Sequence, residues 1–181
     1  PALFQMIFRE CVSQLVDQNI VDQKWARSSD EEILGYMRSE VDSDGLYSQR
    51  REFSRLLGSH FKTIVLGGAA GNPHWGEILE KLGLELEVGY GLTEASPVVS
   101  LGSCRVIPSG SVGHPLPGVD VHISDSGEVL VRGRNVMKAY FRDEEETQAA
   151  LAEGWLHTGD VGFLDDAGHL FISGRIKETM V

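Results

Sequence analysis

The sequence holds 181 residues with 16 Lys+Arg against 27 Asp+Glu, a formal net charge of −11. That is enough chain for one ordinary domain or two small subdomains, with a core that needs no disulfides. A chain this acidic repels a phosphate polymer, which argues against nucleic acid as a partner, and no apolar run approaches the roughly 18 residues of a membrane span.

Pro1-Ala-Leu-Phe4 has neither an initiator Met nor a basic region before an apolar stretch, so it is not a signal peptide and reads as a start inside a longer protein. Leu3, Ile7, Cys11 and Leu15 recur at helical spacing with Phe4, Phe8 and Val12 beside them, which predicts an amphipathic helix over 3–16. Residues 28–44 are acidic with scattered apolar positions and predict at most a short helix in a surface loop. A basic helix follows, with Arg50, Arg51 and Arg55 outside, Phe53, Leu56 and Leu57 inside, and Gly58 as its stop. Most of the 21 glycines come after residue 65. Thr63–Leu66 predicts a buried strand ended by Gly67-Gly68, and Pro73 opens a helix with Trp75, Ile78, Leu79 and Leu82 as its apolar stripe. Leu84, Leu86 and Val88 alternate with Glu85 and Glu87 in a second strand. Strand–helix–strand is the pattern of a parallel α/β sheet. The Gly/Ser/Pro-rich stretch 100–118 reads as a seam. Beyond it, Val119–Ser124 and Glu128–Arg132 flank the hairpin turn Asp125-Ser126-Gly127. Asp160–Leu164 and His169–Ser173 flank a second turn at 165–168, and a helix with three acids in its first turn begins near Asp143. Cys11 and Cys104 alone form neither a disulfide framework nor a zinc site and fit reduced cytoplasmic thiols.

Four segments carry chemistry, each with a plainer reading. Leu66–Gly71 follows a predicted strand, at the edge where open α/β sheets bind ligands; its small residues either admit a flat ligand or only make a tight turn. Tyr90-Gly-Leu-Thr-Glu94 offers a ring to stack on a purine, a hydroxyl for a phosphate and a carboxylate for Mg²⁺, or else is a polar loop whose Thr93 caps a turn. Gly154–Asp160 places Asp160 at a strand entrance, where it could accept from a ribose diol or bond its own turn; His157 reads as a general base or as a packing residue. Gly174–Met180 carries Arg175 and Lys177, which a solvated terminus would also explain.

In this order these segments resemble the core motifs of the AMP-forming acyl-CoA synthetases, within the adenylate-forming superfamily shared with luciferases and peptide-synthetase adenylation domains. Tyr90–Glu94 is similar to that family's Y-G-x-T-E segment and Gly127-Glu-Val-Leu-Val-Arg-Gly133 to its G-E-l-x-v-R-G segment. Asn135-Val-Met-Lys-Ala-Tyr140 resembles n-v-M-x-G-Y, with Ala139 in place of the usual Gly. Gly154–Asp160 resembles G-W-x-x-T-G-D, and Gly174-Arg-Ile-Lys-Glu178 resembles G-R-x-K-[DE]. Many relatives also carry a Pro directly after Gly-Gly-Ala, where this chain continues Ala70-Gly71.

The resemblance implies an α/β fold, with a partial parallel sheet and helices over 1–104. A small antiparallel β-barrel-like subdomain over 105–174 and a hinge over 175–181 would follow. It implies that Gly68 and Ala69 border an adenine, that Tyr90 beside Gly91 stacks on it, and that Thr93 bonds the α-phosphate. Glu94 would hold Mg²⁺, Asp160 the ribose hydroxyls, and Arg175 the ribose or phosphate, while Lys177 would be the hinge of a further domain. The implied activity is that of a fatty acyl-CoA ligase: ATP and a fatty acid give an acyl-adenylate, and CoA as co-substrate displaces AMP. An adenylating domain that loads a carrier protein shares every motif, and a non-catalytic paralogue is a third reading. The family's phosphate loop would precede Pro1 and its catalytic lysine would follow Val181, so the chain alone is expected to be inactive. It is also expected to self-associate through apolar surface around Leu3–Val16 and Thr63–Leu66. The resemblance places the parent in the cytoplasm and is compatible with peripheral membrane contact.

Overall fold

The computed structural model describes residues 27–29, 32, 58, 60–67, 79 and 83–176. The helices expected over 3–16 and 50–57 lie outside these residues, as do Gly68, Ala69 and Lys177; of the helix expected from Pro73, Leu79 is described and is helical. Two compact units divide the chain, one of residues 1–64 and 71–86 and the other of 65–70 and 87–181.

In the first unit, the Ser29 backbone N–H and hydroxyl donate to Glu32 Oε2 at 2.7 and 3.0 Å, and Glu32 N–H donates back to Ser29 Oγ at 3.2 Å. This reciprocal capping box marks a helix start in the acidic segment, and its hydrogen bonds hold the Glu32 carboxyl below its ordinary pKa. Leu79, Leu84 and Leu86 are buried, and Leu84 N–H donates to Leu79 O at 2.8 Å.

Strands β1 (Thr63–Gly67), β2 (Glu85–Tyr90), β3 (Ser100–Ser103) and β4 (His114–Pro115) form one sheet in chain order. It is a mixed parallel and antiparallel sheet. The connection from β1 to β2 has the length a crossover needs, and β2–β3 and β3–β4 pair antiparallel. The alternation read in β2 is observed, with Leu86 and Val88 inside and Glu85 outside. Two expectations are corrected. Strand β1 is not buried: it alternates between exposed and half-buried positions, with Val65 60% exposed. Among the described strands it lies at the sheet edge, beside β2. The stretch 100–118 is not merely a seam, because β3 and β4 lie within it. Ser100 is fully buried there, its hydroxyl donating to Val112 O at 2.8 Å, so a polar residue fills a core position.

Strands β5 (Val119–Ile123), β6 (Glu128–Gly133), β7 (Leu156–Leu164) and β8 (Leu170–Arg175) form a second, fully antiparallel sheet, curled into a half-barrel. Val129, Val131, Leu156 and Leu170 are fully buried or nearly so and form its core. Both predicted hairpins are present. The second turn is held by Asp165, whose Oδ1 accepts from Ala167 N–H and His169 N–H at 3.0 and 2.8 Å. The two sheets meet where Val112 N–H donates to Leu170 O and Leu170 N–H to Gly113 O, at 2.8 and 2.9 Å. Helix α1 (Glu144–Ala150) starts where expected, Asp143 Oδ1 capping Glu146 N–H at 3.1 Å.

Candidate functional site

Tyr90 ends β2, Asp160 lies within β7, and Arg175 ends β8. Asp160 and Arg175 are directly opposed across the β7–β8 pair, so the hairpin register alone brings an acid and a base together. The Tyr90 hydroxyl donates to Asp160 Oδ2 at 2.6 Å. Arg175 Nε lies 3.4 Å from Asp160 Oδ1, and its Nη2 donates to Thr158 O at 3.3 Å. Asp160 is only 8% exposed. Burial first, and then the bond to Asp160, push the Tyr90 phenol above its ordinary pKa, so it stays a hydrogen-bond donor at neutral pH.

These three side chains line a cavity of about 370 Å³ together with Gly89, Gly91 and Gly174. Gly91 cannot be replaced without moving the loop, because a Cβ there would sit 1.7 Å from Pro97 O. Asp160 lies inside the strand rather than at its entrance, since β7 already begins at Leu156. Gly159 before it takes φ +70°, a left-handed conformation that favours glycine. Its N–H donates to Glu128 Oε1 at 2.9 Å, and Glu128 Oε2 lies 3.0 Å from His157 Nδ1. His157 is thus engaged with the carboxylate that braces the backbone at Gly159, next to Asp160. Thr158 completes this brace: its hydroxyl donates to Val129 O at 2.7 Å and accepts from Asp160 N–H at 3.1 Å.

Thr93 and Glu94 do not line the cavity; they occupy a 3₁₀ turn, Thr93–Ala95, one step beyond it. Thr93 is exposed. Residues 135–140 clamp this turn. Asn135 Nδ2 donates to Ala95 O and Val98 O at 3.0 and 3.1 Å, Met137 N–H donates to Glu94 O at 2.7 Å, and Tyr140 Oη donates to Glu94 Oε1 at 2.8 Å. Among the described residues no group of three or more His, Cys, Asp or Glu could enclose a metal. A single fixed carboxylate fits a hard cation that arrives with phosphate oxygens, the usual manner of Mg²⁺. Glu128, Asn135 and Tyr140 were quoted in the motifs without a role. Their spacing could not reveal that Glu128 reaches forward to Gly159 and His157 in β7, or that Asn135 and Tyr140 reach back to the turn after β2.

A buried acid, a cation in register with it and an aromatic ring thus surround one glycine-lined cavity. The family model described as AMP-binding enzyme matches residues 1–141, and the chain belongs to that family. It is 40% identical over 131 residues to the long-chain-fatty-acid–CoA ligase FadD15 of Mycobacterium bovis, a match covering 72% of this chain and 22% of that protein. The chain therefore spans about a fifth of the length of this curated relative. The solved structure of a Mycobacterium tuberculosis fatty acyl CoA synthetase matches 74% of this chain and 29% of its own, with 30% identity and a TM-score of 0.61. The O-succinylbenzoate coenzyme A synthetase of Bacillus subtilis, solved with ATP and magnesium ion, matches 84% of this chain and 35% of its own, at 28% identity and a TM-score of 0.63.

Proposed function

We propose that this chain is the nucleotide-binding centre of an AMP-forming fatty acyl-CoA ligase of the cytoplasm. The observation that carries the reading is the convergence of Tyr90, Asp160 and Arg175 on one cavity. A carboxylate oxygen of the fatty acid attacks the α-phosphorus of ATP, and the bond to pyrophosphate breaks. The thiolate of CoA then attacks the acyl carbonyl and AMP leaves. Asp160 accepts from the ribose hydroxyls, and Arg175 supplies positive charge at the ribose or α-phosphate. Tyr90 stacks on adenine, with Gly68, Ala69 and Gly91 admitting its flat face. Thr93 donates to the α-phosphate, and Glu94 holds Mg²⁺, which supplies charge stabilisation at the phosphates. These residues act by orientation and electrostatics. Residues 1–104 would be the α/β part, whose sheet β4 extends at His114–Pro115, 105–174 would carry the half-barrel, and 175–181 would be the hinge, with Lys177 the pivot.

The test is pyrophosphate release by the complete polypeptide with ATP and a fatty acid, followed by thioester formation on CoA or on a phosphopantetheinyl carrier protein. Release that depends on both substrates, with CoA accepted and the carrier protein ignored, supports the reading. No release refutes it, and transfer only to the carrier protein redirects it to a loading domain.

A further inference from the structure

We propose that Tyr140 is a positioning residue that fixes the Glu94 carboxylate in the orientation required for its metal. The inference deepens the reading of Glu94 given above and rests on it.

Tyr140 is held before it touches Glu94. Its N–H donates to Thr147 Oγ1 at 2.9 Å, within α1, and it bridges to Asp143, the cap of that helix. The hydroxyl then donates to Glu94 Oε1 at 2.8 Å. Glu94 is anchored a second time by its own carbonyl, which accepts from Met137 N–H at 2.7 Å. Backbone and side chain of one residue are therefore gripped by the same segment, 137–140. An ionised carboxylate has about four lone-pair sites. With Oε1 oriented by the phenol, Oε2 would remain for the cation. A glutamate fixed beforehand loses less side-chain entropy on binding than a mobile one. Among the described residues, the bond to Glu94 is what uses the hydroxyl, since a phenylalanine would keep the ring and the bond of N–H to Thr147.

The experiment uses the complete polypeptide and Mn²⁺ as probe. Mn²⁺ is titrated by electron paramagnetic resonance in the presence of a non-hydrolysable ATP analogue. Tyr140→Phe should weaken Mn²⁺ about three- to tenfold, the range expected when one rotamer-rich side chain is no longer held in place. Affinity for the analogue at saturating Mn²⁺ should stay within about twofold of wild type and the thermal midpoint should hardly move, because hydroxyl removal alone leaves the clamp's backbone bonds intact. Glu94→Gln should weaken Mn²⁺ at least as much, and the double variant should be no weaker than Glu94→Gln alone, because the two act as a unit. Should Glu94→Gln bind Mn²⁺ weakly while Tyr140→Phe binds it normally, the positioning role is wrong and the metal role of Glu94 stands. Normal binding by both variants removes Glu94 from the metal and the inference with it. Parallel losses of Mn²⁺, analogue and thermal stability in Tyr140→Phe show a structural role and also overturn it.

Discussion

Replacing Asp160 by Ala removes a carboxylate that is 8% exposed and already bonded to Tyr90 and paired with Arg175. If this carboxylate also accepts from a ribose diol, the charged hydrogen bonds lost are worth roughly 1.5–3 kcal/mol, or about a 10- to 150-fold rise in the KM for ATP. Alanine also strands the half-buried Tyr90 hydroxyl, at a cost of about 1–3 kcal/mol in stability. Folding and binding must therefore be separated. Asp160→Asn keeps an acceptor for Tyr90 and should hold near the parent thermal midpoint while still weakening ATP, since it lacks the charge that faces Arg175. The assay is the KM for ATP in pyrophosphate release by the complete polypeptide, paired with calorimetric titration of AMP well below the melting transition. An unchanged KM and AMP affinity in a folded Asp160→Ala protein would show that the acid serves only the hairpin.

Three further outcomes follow from the same geometry. Tyr90→Phe should lose less than about threefold in AMP affinity and Tyr90→Ala more than about tenfold, as stacking of a base on a ring is worth ~1–3 kcal/mol; equal losses in calorimetry would contradict stacking. The raised Tyr90 pKa makes the protein sensitive to alkali: above the ordinary value of 10.0 the unfolded chain releases a proton that the folded chain retains, so this contribution is complete below pH 10 and fades as pH rises further. Thermal midpoints taken from pH 9 upward should fall more steeply for the parent than for Tyr90→Phe, and parallel curves would refute the link. Lys177→Pro, which fixes φ near −65°, should impair adenylate formation and thioester formation unequally in rapid-quench assays, whereas equal loss would deny a hinge at that position.

The half-barrel was legible because its signals are local. Asp125-Ser126-Gly127 and Asp165–Gly168 are turn sequences between β-rich runs, and Asp143 with its three following acids announces a helix start. Strands β3 and β4 were not legible, since Gly102, Ser100 and Ser103 give no apolar alternation and Ser100 is buried through a hydrogen bond rather than through hydrophobicity. The exposure of β1 follows from its place at the edge of the sheet, which its apolar sequence does not encode. In the site, Tyr90, Asp160 and Arg175 could be named from motifs, but their mutual bonds depend on strand register and on two sheets meeting. The braces from Glu128 and Tyr140 join positions 31 and 46 residues apart in the chain, beyond the reach of any local pattern.

The turn at 165–168 lies away from the cavity, yet it sets the phase of both strands that supply the site. Because Asp160 and Arg175 are opposed only by counting outward from that turn, one inserted residue there would shift the pairing by a step and send alternate side chains to the opposite face of the sheet. The register already absorbs one irregularity between Val161 and Gly162, where a Cβ on Gly162 would stand 2.3 Å from Phe171 O. Chain length, rather than side-chain identity, is what this remote corner holds constant: exchanges that preserve the Asp165 bonds leave the cavity intact, while a change in loop length dismantles it from a distance.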